Sequence, residues 1–132
     1  MNYLLDTHTF LWAVLNTKEL SKKAVEVLKN PRNGIYVSAV TFWEISIKTR
    51  IKKLSLEKVQ PEELLQIAEK MDFELISLTP EEAITYHKML EETHNDPFDR
   101  MLIWQSISRD MILISKDRAF KKFVEFGLKV LW

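Results

Sequence analysis

The sequence predicts an α/β fold, a three-layer α/β/α sandwich around a central, mainly parallel sheet. Short apolar runs alternate with helical stretches along the chain, the pattern of a sheet covered by helices on both faces. Most of those runs are uninterrupted rather than alternating, as strands buried on both sides are. No linker, repeat or composition break interrupts the 132 residues, so residues 1–132 read as a single domain.

The strand runs, in order, are Tyr3-Leu4-Leu5, Ile35-Tyr36-Val37, Leu75-Ile76, Met111 to Ile114 and Leu128 to Leu131. Helices are expected over roughly 7–16, 21–30, 39–53, 61–71, 80–93, 97–110 and 117–125. Three prolines mark helix starts. Thr79-Pro80-Glu81-Glu82 spells a capping box with Pro at the first helical position. Asp96-Pro97-Phe98-Asp99 repeats that grammar with acids, and Pro61-Glu62-Glu63 puts acids where a helix dipole favours them.

Composition narrows the function. Nineteen Lys plus Arg balance nineteen Asp plus Glu, so a nucleic acid could be held only by a local patch. Cysteine is absent, which removes disulfides, thiolate metal sites and a Cys nucleophile. Two glycines, Gly34 and Gly127, cannot write a phosphate-binding glycine loop. The longest apolar stretches break within about six residues, short of the roughly 20 a spanning helix needs, and the first residues do not resemble a signal peptide. A soluble, cytoplasmic protein with no membrane partner is expected.

Acids carry the chemical signal. In an open parallel sheet, ligands bind beyond the carboxyl ends of the strands. Asp6 ends the first strand and Asp117 follows the fourth, although each could serve simply as a helix N-cap. Glu44 shares a side of its helix with Val40, Ile47 and Ile51, while Ala39, Phe42 and Ile45 make other sides apolar. A carboxylate buried there needs a cation, either a basic side chain or a metal. Asp96 suits the N-cap before Pro97, which frees Asp99 at the edge of an apolar stripe to aim toward the sheet. Four clustered carboxylates repel unless a divalent cation lies among them, and oxygen-only donors select Mg²⁺ or Mn²⁺. Such a site can activate water against a phosphodiester.

The segments LLDTHTFLW (4–12), SAVTFWEISIK (38–48), DPFDRMLIWQS (96–106) and ISKDRAF (114–120) together resemble the PIN domain, specifically the VapC-like ribonuclease toxins of type II toxin–antitoxin systems. The resemblance runs in order from the first strand to the last. It implies a Mg²⁺- or Mn²⁺-dependent endoribonuclease, a homodimer, and a small cognate antitoxin. In that family the invariant acids correspond to Asp6, Glu44 and Asp99, with Asp117 a more variable fourth, as metal ligands and catalytic residues.

Basic residues gather at Lys48, Arg50, Lys52 and Lys53, and around Asp117 at Lys116, Arg118, Lys121 and Lys122. They are either solvated helix ends or phosphate contacts for an RNA substrate. Lys48, Lys116 and Arg100 are the candidates for substrate binding, and Arg100 could instead pair with an acid. His8, His87 and His94 have no ligand-pair spacing, and no Ser-His-acid arrangement is visible. His8 reads as a polar helix-start residue that could graze the cleft. Phe10, Trp12, Phe42 and Trp43 read mostly as core, with part of the surface covered by a second subunit or an antitoxin. The rival function is a non-catalytic RNA-binding or scaffold module. A receiver domain is excluded, because the second strand ends without an acid.

Overall fold

The computed structural model describes all 132 residues. Five strands, β1 (Asn2–Leu5), β2 (Gly34–Ser38), β3 (Glu74–Ile76), β4 (Ile112–Ile114) and β5 (Lys129–Leu131), form one sheet in the order β3-β2-β1-β4-β5. Every neighbouring pair is parallel. The α-helices are α1 (Thr7–Leu15), α2 (Lys22–Lys29), α3 (Ala39–Arg50), α4 (Glu63–Lys70), α5 (Pro80–Thr85) and α6 (Pro97–Ser108).

Successive strand residues face opposite sides of a sheet, so each apolar run feeds two cores. Leu5 and Ile114 pack on one side with Phe10, Ala24, Leu64 and Ala68, from α1, α2 and α4. Leu4 and Leu113 pack on the other with Leu102, Ile103, Phe120 and Phe123, from α6 and the 118–126 segment. This is the expected three-layer sandwich. Helix α3 leaves β2 at the sheet's carboxyl edge and gives Ile45 to the first core and Val40 to the second.

Three expected elements differ. The 39–53 helix stops at Arg50, because Lys52 takes a left-handed backbone (φ 61°) and Lys53 and Leu54 both donate to Lys48 O. The 80–93 helix ends at Thr85, followed by a 3₁₀ turn at Tyr86–Lys88 and an irregular stretch. There the Glu91 carboxylate accepts from the backbone N–H of Thr93 and His94 (2.8 and 3.0 Å), and Arg100 Nη1 donates to His94 O (2.9 Å). Side chains thus take backbone groups that a longer helix would have paired internally. The last expected helix is a 3₁₀ segment, Arg118–Phe126, closed by Gly127 at φ 106°.

From β1 the chain moves outward through β2 to β3, whereas β4 and β5 lie on the other side of β1. The strand order therefore reverses between β1 and β4. A crevice opens at such a point beyond the carboxyl ends, and Asp6 and Ser115 sit at that edge.

Candidate functional site

A cleft of about 280 Å³ at the switch point is lined by Asp6, Glu44, Asp96, Asp99 and Asp117, with Lys48, Lys116, His8 and Trp12 at its walls and rim. All four acids expected to act together line this one cleft, and they differ in how they are held.

Asp6 follows β1 and caps α1, with Oδ1 accepting from Thr9 N at 2.9 Å. It is 5% exposed and has no ion-pair partner. Burial pushes its carboxyl up, opposed by hydrogen bonds from Ser115 and Thr9. Glu44 is 3% exposed, on the wall made by α3. Thr7 Oγ1 donates to its Oε1 at 2.6 Å, Thr41 Oγ1 lies 3.2 Å from Thr7 Oγ1, and Lys48 Nζ pairs with Oε2 one turn on. Of the two cations open to Glu44 from sequence, a basic side chain is therefore present. The pairing holds the Lys48 ammonium up, with Asp96 and Asp99 adding to it.

Asp99 lies in the first turn of α6, and Asp96 is the N-cap, with Oδ1 accepting from Phe98 N and Asp99 N at 2.9 and 3.0 Å. Burial pushes Asp99 up to about 6; His94 opposes the rise, while the Asp96 and Glu44 charges add to it. Asp117 is exposed and caps the 118–126 segment through Ala119 N at 2.9 Å.

Hard oxygen donors, two of them almost fully buried and one held up to about 6, suit a divalent ion. No three carboxylate or imidazole groups stand close enough to grip one ion as placed. Each of two acids is held by its own side-chain partners, Glu44 by Thr7 and Lys48, and Asp99 by His94. The cleft does have room for several waters of roughly 30 Å³ each, the way Mg²⁺ usually fills its coordination. The residues fit a hydrated hard cation held through side-chain adjustment or bridging water.

The basic candidates divide. Lys48 and Lys116 line the cleft. Arg100, expected to contact substrate or pair with an acid, is not among the residues lining it: Nε donates to Tyr86 Oη at 2.5 Å and Nη1 stands 3.6 Å from Glu91. Its guanidinium also lies 5.5 Å from the Tyr86 ring centre, so Arg100 pins the 86–96 stretch, with Glu91 the acid it pairs with. His94 was not singled out by spacing, yet its Nε2 lies 3.0 Å from Asp99 Oδ2, with its ring edge-on to Phe120 and Phe123. Nothing local announces that contact, which depends on the fold of the 89–96 loop. Thr7 did carry a signal: it directly follows Asp6 at a helix start.

A model of the PIN domain matches residues 3–125. Ribonuclease VapC22 of Mycobacterium tuberculosis is 25% identical over 118 residues, covering 89% of this chain and 88% of that protein. Among solved structures, the chain is similar to VapBC2 of Rickettsia felis bound to a promoter DNA fragment (TM-score 0.72, 20% identity, 99% of this chain and 98% of that one). It is also similar to VapBC-1 of nontypeable Haemophilus influenzae (0.64, 18%, 99% and 97%) and to FitAcB of Neisseria gonorrhoeae (0.64, 16%, 98% and 96%). At these identities the structural likeness speaks to the fold.

Proposed function

Because this chain belongs to the PIN domain family, we propose that it is a Mg²⁺- or Mn²⁺-dependent endoribonuclease, the toxin of a toxin–antitoxin pair. The observation that carries the reading is the gathering of Asp6, Glu44, Asp99 and Asp117 in one cleft at the sheet's switch point, with Asp6 buried and without a cation of its own. The ribonuclease relative and the VapBC neighbours support it.

Asp6, Glu44 and Asp99 would hold the ion, with Asp117 assisting directly or through water. When bound, such an ion lowers the pKa of its water and offsets charge on a phosphodiester under attack. The chain's own residues do the rest. Thr7 fixes the Glu44 carboxylate, and Ser115 and Thr9 fix Asp6. His94, donating to ionised Asp99, keeps that carboxylate aimed at the cleft. Lys48 and Lys116 supply the attraction for RNA phosphate that a net charge of zero does not.

Exposed apolar surface supports the protein partners of this reading. Trp43, Ile84 and Leu90 are more than half exposed, and Val40, Trp43, Leu78, Phe98 and Met101 line one apolar groove. A second copy of the chain covers this face, and a small antitoxin inhibits the assembly. The function is tested by incubating the purified chain with a panel of cellular RNAs in Mg²⁺, in Mn²⁺ and in chelator. Cleavage confined to the metal samples is expected. Stable RNA binding without cleavage in any sample would favour the scaffold module instead.

A further inference from the structure

The wall of the cleft formed by α1 carries aromatic groups that metal chemistry does not use. His8 and Trp12, one turn apart, stack with ring centres 5.7 Å apart and planes at 27°. His8 is exposed and Trp12 half-buried, and both line the same cleft as the acids. Lys116 Nζ stands 5.7 Å from the Trp12 ring centre, and Trp132 abuts Trp12 at 5.8 Å. Beyond Lys116 and Asp117 lies a second depression, lined by Arg118, Lys121 and Trp132. An aromatic ridge with a movable ammonium over it thus separates a carboxylate-lined cleft from a basic groove.

Flat rings beside cationic side chains are what an unpaired nucleotide requires, since every base has a face to stack and a phosphate to neutralise. Lys116 is exposed and flexible, so it can leave the ring for a phosphate when a base arrives. We propose that His8 and Trp12 form the stacking platform for an unpaired RNA base beside the phosphodiester that is cut, with Lys116 taking an adjoining phosphate and the strand continuing over Arg118 and Lys121. The site then takes single-stranded RNA in preference to duplex, whose bases are already stacked on one another. This inference rests on the ribonuclease reading and deepens it.

The test measures the binding of a short 5′-labelled RNA of mixed sequence by fluorescence anisotropy, alone and annealed to its complement. The Asp6→Asn background prevents cleavage during the measurement. The single strand is expected to bind more tightly than the duplex. Trp12→Ala should weaken strand binding by roughly 5-fold to 150-fold, the effect of removing one stacked base contact. His8→Ala, at an exposed position that leaves the core intact, should weaken it in the same direction, and Trp12→Phe should restore most of the Trp12→Ala loss. Lys116→Gln should reduce the salt dependence by about one phosphate contact, roughly 0.7 in the logarithmic slope. Strand binding unchanged in both Trp12→Ala and His8→Ala, with duplex bound equally well, overturns the platform. Failure of the parent to bind either RNA would instead sink the ribonuclease reading. Variants that keep RNA binding but lose the antitoxin would assign the ridge to a protein and overturn the proposal.

Discussion

Asp6 joins two demands in one side chain: it caps α1 through Thr9 N while staying a buried acid without a cation. Asparagine caps as well as aspartate and carries no charge to desolvate. Asp6→Asn should therefore abolish RNA cleavage while melting at or above the parent temperature, read by activity assay and a thermal scan together. Glu44→Gln and Asp99→Asn should each lose most activity and Asp117→Asn less, whereas Asp96→Asn should mainly test the cap, at about 1 kcal/mol or below. His94 offers a separate test. His94→Ala frees the Asp99 carboxylate and should weaken Mn²⁺ binding, measured by calorimetry, roughly 10-fold to 100-fold. His94→Gln, which keeps a donor, should recover much of that loss. The positions of Asp6, Asp99 and Asp117 were legible because strand ends and a helix first turn fix their backbone, and that of Glu44 because apolar residues surround it on α3. His94 was not, because its contact is made by a loop of no regular pattern; Arg100, open from sequence to substrate or to an acid, has the acid Glu91 beside it, and that acid comes from the same stretch.

At the scale of elements, the start of α5 was fully legible and its end was not. The capping box forms as the sequence spells it, with Thr79 Oγ1 accepting from Glu82 N at 3.1 Å and Glu82 Oε1 accepting from Thr79 N at 3.0 Å. What no local pattern shows is that Glu82 also binds Arg109 at the C-terminal end of α6, at 2.6 Å to Nε, and Gln105 of the same helix at 3.1 Å. Gln105 in turn accepts from Ser38 Oγ at the end of β2. Burial alone would raise the Glu82 carboxyl, but Arg109, Thr79 and Gln105 overcome it and hold the group at about 2 against an ordinary 4.5. A lowered acid pKa contributes stability that is complete above the ordinary value and lost as the pH falls from about 4.5 through about 2. Arg109 is partly exposed and solvent screens the pair, so the contribution is about 1 kcal/mol. Denaturant titrations of the parent and Glu82→Gln should differ by an amount of that order at pH 7 and converge as the pH drops toward 2.5. A gap that stays constant with pH contradicts the ionic role.

For the whole molecule, five apolar runs and three proline-marked starts were enough to specify a parallel sheet between two helical layers, because alternation along buried strands forces two cores. The same runs could not reveal which apolar surface stays uncovered: Trp43, read as mostly core, is 62% exposed and meets Phe98 edge-on. Light scattering should give twice the 15.6 kDa of one chain, and Trp43→Glu should shift it toward a single chain. A particle of 15.6 kDa for the parent at high concentration contradicts the dimer. We propose that this cleft cuts RNA with a metal-activated water. The most direct measurement maps the ends of RNA cut in Mn²⁺ by the parent and by Asp6→Asn. In-line attack by water predicts 5′-phosphate and 3′-hydroxyl ends, appearing with metal, vanishing with chelator and absent from the variant. Ends bearing 2′,3′-cyclic phosphate, or cutting that survives chelation or the loss of Asp6, would contradict attack by a metal-activated water.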